Sequence, residues 1–419
     1  MPGVVHIVGA GLSGLSAAVA VARTGRRVAV YEAAGQAGGR CRSFFDATLE
    51  RRIDNGNHLL LSGNRATYDY LEACGATDAF IGPDRAEFDF VDATTGNRWT
   101  VRPSAGPIPW WVLSRGHRVP GTRISEYLRA LRLVNASNGA TVAQCLGGSG
   151  LLYRRFWEPL AVAALNTSAE EGAASLLWPV VRETFGRGEA HCRPRIARDG
   201  LSEALVDPAL RTLDPAGGVS FNRRLRGLDL EGDQIVGLDF GGGDRLDLDA
   251  ADVVVLAVPP AAAAALVSGL EAPVANRAIV NGHFRLPQAS RHVYFLGVVG
   301  GVIQWLFVRG DIVSTTVSAA DSLLEVSNEV LARDMWRDVS MVLGLGQAAL
   351  PAHRILTEKR ATFAQTPAEI ARRPGTRTAW RNLFLAGDWT DTGLPATVEG
   401  SVRSGHAAAE AIFADAAST

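Results

Sequence analysis

The sequence predicts an α/β fold in which a parallel-sheet domain is interrupted by a second, α+β domain. Three observations predict it. An apolar strand runs into a glycine-rich loop and helix at the start of the chain, and another apolar strand ends in Gly387-Asp388 near its far end. Between them, residues 219–240 alternate like an antiparallel meander around a Gly232-Asp233 turn. With 419 residues, 47% of them hydrophobic and 20% charged, the chain has material for two cores and is not a disordered or fibrous polymer. Forty-two basic against forty-three acidic residues leave no global field to attract nucleic acid. Lys359 is the only lysine, so lysine chemistry elsewhere in the chain is excluded.

Residues 4–10 (VVHIVGA) form a short, mostly apolar run of the kind that becomes a buried parallel strand. Gly9, Gly11 and Gly14 follow as G-x-G-x-x-G, residues 15–23 read as a helix, and residues 28–31 as a second strand ending at Glu32. Gly9 permits the tight turn, Gly11 lets the backbone approach a pyrophosphate, and Gly14 lets helix and strand pack closely. The helix N-terminus adds partial positive charge facing the phosphates. Glu32, 18 residues after Gly14, is placed to accept both hydroxyls of an adenosine ribose. Strand, helix, second strand and acid arriving in order predict a bound dinucleotide.

Residues 33–43 (AAGQAGGRCRS) carry Gly38-Gly39-Arg40 after Glu32. This E-x-x-x-x-G-G-R pattern resembles the second signature of FAD-binding oxidoreductases with a glutathione-reductase-like fold. The resemblance implies FAD rather than a nicotinamide, with Ser13, Ala33, Gly39 and Arg40 beside the cofactor and Arg40 a phosphate partner. Residues 382–386 (NLFLA) with Gly387-Asp388 resemble the third signature of the same family. There the aspartate bonds ribityl or pyrophosphate oxygens. The helix expected to open at Pro395 would offer the N–H groups of Ala396 and Thr397 to the flavin. Residues 252–258 and the meander resemble the middle of the FAD domain, with Leu225 approaching adenine through its backbone. Residues 1–75, 205–270 and 355–419 are thus expected to form the FAD-binding domain, and 76–204 with 271–354 the substrate domain.

Residues 54–61 (DNGNHLLL), 157–167 (WEPLAVAALNT), Gln304-Trp305, 358–363 (EKRATF) and 394–405 (LPATVEGSVRSG) narrow the resemblance. Together they are similar to the hydroxysqualene dehydroxylases, squalene-associated FAD-dependent enzymes of bacterial hopanoid synthesis. The resemblance implies a glutathione-reductase-like Rossmann domain and reductive dehydroxylation: hydroxysqualene and reduced flavin yield squalene, water and oxidised flavin. Asn55, Gly56 and Asn57 would lie against the flavin. His58 and Glu158 are the candidate proton donors for the leaving water. Trp157, Asn166, Gln304 and Trp305 are the candidate substrate-binding residues. A desaturase or isomerase of a long polyene such as a carotenoid precursor shares most of these motifs. A flavin amine oxidase needs a lysine near the flavin and an aromatic cage, and here only Lys359 and Trp389 approach those positions. An isoprenoid carrier of the same fold would lack a full set of FAD signatures. No pattern points to a metal or identifies an electron donor.

The apolar runs 252–270 and 293–308 are broken by Pro259-Pro260 and Gly300-Gly301, and neither reads as a membrane span. The chain opens Met-Pro-Gly without a basic leader, and Cys41, Cys74, Cys145 and Cys192 are widely spaced, as in a reduced cytoplasmic protein. A C30 polyene resides in the bilayer, so peripheral contact with the cytoplasmic membrane is expected. Residues 108–123 (IPWWVLSRGHRVPGTR) pair Trp110 and Trp111 with Arg115 and Arg118 as an interfacial anchor.

Overall fold

The computed structural model describes residues 3–290 and 294–416. Met1 and Pro2 of the opening tripeptide, Val293 at the head of the second apolar run and residues 417–419 of the third cofactor segment lie outside the described residues.

The apolar strands assemble as their composition requires. Val5–Val8, Val28–Tyr31, Val253–Leu256 and Leu383–Leu385 have almost no polar side chain to leave in water, and each is nearly or fully buried. They pair in parallel, with Val219–Ser220 at one edge, in the order Val219–Ser220, Val28–Tyr31, Val5–Val8, Val253–Leu256, Leu383–Leu385. Three distant parts of the chain thereby share one sheet. Helices Leu12–Ala22 and Val398–Ala416 pack against each other beside it. The Ser16 hydroxyl bonds the Val402 carbonyl between them at 3.1 Å. The meander Gly227–Glu231, Gln234–Asp239, Arg245–Asp247 adds Ile235, Leu238 and Phe240 to a cluster with Val8, Leu256 and Leu385.

The second domain is built on a seven-stranded sheet in the order His353–Phe363, Asn276–Arg285, Ile312–Ser318, Trp305–Arg309, Tyr294–Val299, Phe88–Asp92, Arg98–Val101. Neighbouring side chains point to opposite faces. Leu296 and Leu306 join the core under helix Asn328–Leu343, whereas Phe295 and Phe307 face the opposite, aromatic-rich cluster. That cluster gathers Phe88, Phe90, Trp99, Phe156 and Trp157. Strand His353–Phe363 pairs with Asn276–Arg285 through Phe363↔Asn276, so this sheet runs past the boundary expected at 355. Residues 353–363 carry no alternation that would assign them to one sheet, and only the pairing partner decides.

Among the described residues no helix is long and apolar enough to cross a membrane, and all four cysteines are free.

Candidate active site

The three glycines of the first loop have distinct surroundings. Gly9 has φ +107°, and a Cβ there would lie 2.4 Å from the Ala257 carbonyl oxygen. A Cβ on Gly14 would lie 1.9 Å from the Gly9 carbonyl oxygen. The fold itself therefore demands glycine at both. At Gly11 a Cβ would meet nothing within 4 Å. This open backbone, one residue before helix Leu12–Ala22 with Ser13 buried in its first turn, is a cradle for a group that the chain does not supply.

Glu32 ends the second strand with its carboxylate held by two backbone amides. Its Oε2 accepts from Ala10 N–H and its Oε1 from Ala34 N–H, each at 2.8 Å, with exposed Ala33 between. Each oxygen keeps a further lone pair for a ribose hydroxyl. Alongside runs the segment leading to the meander, pinned by the Arg223 N–H to the Glu32 carbonyl at 2.8 Å. Leu225, two residues on, makes no main-chain hydrogen bond within the described residues, which leaves its peptide groups available to a base.

The second and third signatures meet. The Gly38 N–H donates to the Ala10 carbonyl at 2.8 Å, and a Cβ on Gly39 would stand 3.5 Å from the Gly11 Cα. Arg40 Nη2 donates to Asp388 Oδ2 at 2.7 Å, and its Nη1 to the Ala361 carbonyl. The Asp388 carboxylate, first, raises the Arg40 pKa above its ordinary value. Asp388 is buried, whereas the Arg40 side chain stays 42% accessible and free to reach a phosphate.

Two residues that the motifs did not reveal shape this end of the site. Arg373 is buried with no carboxylate bonded to it. Its guanidinium donates to the carbonyls of Asp388, Trp389, Thr390 and Leu394 and so holds the loop that carries Asp388. Gln365 is 0% exposed. Its Nε2 donates to the Leu165 carbonyl at 2.6 Å, and its Oε1 accepts from the Ala396 N–H at 2.9 Å. Neither lies in a glycine motif, and a lone Arg or Gln carries no periodic signal.

The Gln365 bond corrects one expectation: the Ala396 N–H is not free. The final helix also opens later than expected, at Val398 rather than Pro395. Thr397 is its cap, the hydroxyl accepting from the Gly400 N–H at 3.1 Å. The N–H groups of Thr397 and Val398 have no acceptor among the described residues, so the donors for an anionic ring sit one residue downstream. Gly387 is glycine because a Cβ would lie 2.3 Å from the Trp389 indole nitrogen, and that indole donates to the Val258 carbonyl at 2.9 Å. Trp389 is fully buried and forms no open aromatic cage.

The DNGNH segment crosses from one domain to the other. Asn57 Nδ2 donates to Thr316 Oγ1 at 2.9 Å, and Asn281 Nδ2 reaches the Asn55 carbonyl at 3.5 Å. A Cβ on Gly56 would touch only Asn281 Nδ2, at 3.5 Å. The chain alone would tolerate a side chain there, as at Gly11. His58 makes no hydrogen bond among the described residues. Its pKa is pushed down to about 4, by burial first and then by the Arg40 charge. A neutral imidazole near pH 7 is a poor source of a proton, so the electrostatics count against His58 as the donor.

The remaining sequence candidates divide. Asn166 ends helix Glu158–Leu165 in the left-handed region, φ 45°. Its side chain is consumed by Thr362 Oγ1 at 3.0 Å, the Arg277 carbonyl and the Ala319 N–H. Gln304 pairs its amide with both main-chain groups of Ser318. Both are thus structural ties between segments rather than free substrate contacts. Trp157 is buried against Phe156 at 4.8 Å between ring centres, its indole N–H unpartnered. Trp305 stands between Phe90 and Phe295 at 5.8 and 6.2 Å. Both tryptophans belong to the aromatic cluster of the second domain. Glu158 follows a π-helical turn, Tyr153–Trp157, of a kind frequent at functional sites. Burial and then the neighbouring Glu170 raise its carboxyl pKa. His58 faces Arg40 and Asp54, and Glu158 faces Glu170 and Arg154, so the two acids of the sequence reading do not share surroundings. Among the described residues no group of three or more His, Cys, Asp or Glu side chains could hold a metal ion.

Open backbone at Gly11, the Glu32 carboxylate at the end of the second strand, an accessible arginine and two free helix N–H groups fit FAD. The chain matches the flavin containing amine oxidoreductase family over residues 12–288 and 307–413. It is 49% identical over 411 residues to the hydroxysqualene dehydroxylase of Rhodopseudomonas palustris, covering 98% of both chains. Identity is 48% to that of Sinorhizobium fredii, again over 98% of both, and 42% to that of Zymomonas mobilis, over 97% of this chain and 98% of the other. Solved structures confirm the fold. Cyclohexylamine oxidase from Brevibacterium oxydans superposes with a TM-score of 0.72 at 16% identity over 100% of both chains. Putrescine oxidase bound to putrescine superposes with 0.71 at 17% over 99% of both. The protein is an FAD-dependent oxidoreductase of the flavin containing amine oxidoreductases, and within them it belongs to the hydroxysqualene dehydroxylase family.

Proposed function

We propose that the protein converts hydroxysqualene to squalene by reductive dehydroxylation, in hopanoid and related isoprenoid synthesis. The observation that carries this reading is near-full-length identity of 42–49% to three hydroxysqualene dehydroxylases, joined to an intact FAD cradle. Bound reduced FAD would supply the hydride that replaces the hydroxyl, and the chain would bind and orient the substrate and supply the proton for the leaving water. The aromatic cluster around Phe88, Phe90, Phe295 and Phe307 receives the polyene and keeps water from the reacting carbon. An allylic hydroxyl leaves as water once protonated, and the faces of Trp157 and Trp305 stabilise the cationic carbon. Glu158, whose carboxyl holds its proton to higher pH than an ordinary glutamate, suits the donor role better than His58. Gly11, Glu32, Gly39, Arg40, Leu225, Asp388, Thr397 and the 55–57 segment hold the cofactor.

The substrate is bilayer-soluble, so the protein works as a peripheral protein at the cytoplasmic membrane, with first contact through residues 108–123. The test is anaerobic: the flavin is reduced, hydroxysqualene added, and squalene expected in stoichiometric proportion to reoxidised flavin. No squalene, with turnover of a primary amine instead, overturns the reading.

A further inference from the structure

Among the described residues, exposed large apolar side chains are concentrated in one stretch of chain. Ile108, Trp110, Leu113, Ile124, Leu128, Leu131 and Val134 are exposed, from 42% at Ile124 to 63% at Leu131. They account for seven of the sixteen exposed large hydrophobic residues in the described chain, within 27 residues of 419. Soluble surfaces scatter such side chains singly; a run of them marks a contact face.

The stretch folds into short pieces stitched to each other. The turn Trp110–Leu113 and the helical segments Ile124–Tyr127 and Leu128–Leu133 meet through Trp111 and Tyr127, whose rings lie edge to face at 5.4 Å. The Tyr127 hydroxyl accepts the Val119 N–H at 3.1 Å. Inner and outer faces are therefore distinct. Trp111, Val119, Tyr127 and Leu133 are buried and belong to the same aromatic-rich cluster as Trp157, Phe295 and Phe307. The outward residues keep about half of their surface open, so apolar surface on the outside backs directly onto the apolar interior of the substrate domain.

Charge identifies the partner. Residues 108–134 contain Arg115, Arg118, Arg123, Arg129 and Arg132 against a single acid, Glu126. Among the described residues none of the five arginines is in an ion pair, in a chain whose formal charge is −1 and whose other arginines are widely paired. Glu126 is spent locally, its carboxylate accepting the Arg123 N–H at 2.5 Å. A protein partner of average composition explains the apolar side chains but not five uncompensated cations. An anionic bilayer explains both, because apolar side chains enter the acyl boundary while guanidinium groups remain at the phosphates.

We propose that residues 108–134, and not only 108–123, form a docking face for an anionic phospholipid surface through which the apolar substrate enters. The membrane docking stands on the exposed residues and charges alone; the entry role rests on the proposed polyene substrate. The FAD-loaded protein is mixed with vesicles of phosphatidylcholine alone or with phosphatidylglycerol, and binding is read by flotation. Strong binding to the anionic vesicles, weakening with salt, is expected. Substituting Trp110→Ser, Leu128→Ser and Leu131→Ser together is expected to abolish binding while leaving the flavin spectrum unchanged, since these side chains are mostly exposed and belong to none of the buried clusters. Arg115→Gln and Arg123→Gln are each expected to weaken it about fivefold. Wild-type protein that stays unbound, or triple-variant protein that binds equally, overturns the proposal. Light scattering that shows a dimer dispersed by the triple substitution overturns it in favour of a second copy of this chain. Vesicle binding without any conversion of hydroxysqualene overturns the catalytic reading and the entry role, and leaves the docking face standing.

Discussion

Arg40 and Asp388, 348 positions apart in sequence, are joined by a 2.7 Å charge-assisted hydrogen bond that brings the second and third glycine-containing motifs together. Each was expected to bind the cofactor, and the fold has them bind each other as well. Because Arg40 remains 42% accessible, solvent screens the pair, and its coupling in a double-mutant cycle of Arg40→Gln and Asp388→Asn is expected to be about 0.5–1 kcal/mol in the apoprotein. FAD affinity is the more sensitive measurement. Asp388→Asn and Glu32→Ala are each expected to weaken it by on the order of 10- to 100-fold, each removing a charged acceptor. Unchanged titration curves for both would remove the basis of the assignment.

Gly11 and Gly14 make a contrasting pair. A Cβ at Gly14 has no room, so Gly14→Ala is expected to destabilise the fold itself by several kcal/mol, read as a lower melting temperature of the apoprotein. A Cβ at Gly11 has open space, so Gly11→Val is expected to leave apoprotein melting close to wild type and to abolish FAD uptake. Equal effects of the two substitutions on apoprotein stability would refute this division.

Gln365 is a positioning residue. Gln365→Leu leaves the Leu165 carbonyl and the Ala396 N–H unpaired in a dry environment, at a cost of about 2–4 kcal/mol. The same substitution releases the chain just before the final helix and is expected to shift the visible spectrum of bound flavin. Gln365→Glu keeps the acceptor for Ala396 and is expected to retain the spectrum better than Leu. A Leu variant with wild-type spectrum and stability would show that Gln365 positions nothing.

His283 reports on acid stability. It is buried beside Ser314, whose hydroxyl lies 2.8 Å from its Nδ1, and burial pushes its pKa down to about 4 from 6.5. The folded state therefore refuses a proton that the unfolded chain takes up as pH falls below 6.5. Its contribution is fully present above that value and is lost progressively toward pH 4. His283→Asn is expected to flatten the fall in unfolding free energy across this window, by on the order of 2–3 kcal/mol at its lower end. Parallel curves for the two proteins would contradict the assignment.

The glycine loop, Glu32, Gly38-Gly39-Arg40 and Gly387-Asp388 were legible as sequence because their chemistry is local. Gly9 and Gly14 are required by their own turn, and apolar strands such as Val5–Val8 and Leu383–Leu385 have one physical use, burial in a parallel sheet. Asn166, Gln304 and Ala396 are the opposite case. Their polar groups were legible, but whether a polar group is free depends on what the fold sets against it. Thr362, Ser318 and Gln365 are distant in sequence, or on other elements, and each bonds one of those groups. The place of strand His353–Phe363, the opening of the last helix at Val398 and the neutral state of His58 were likewise undetermined, because pairing partners, caps and desolvation are properties of assembled neighbours. The sequence by itself determined the fold class and the cofactor, since short motifs encode backbone geometry directly. Only the tertiary structure decided which polar groups remain free to act, which arginines stay unpaired and which apolar residues face outward, because each depends on what lies across the fold from them.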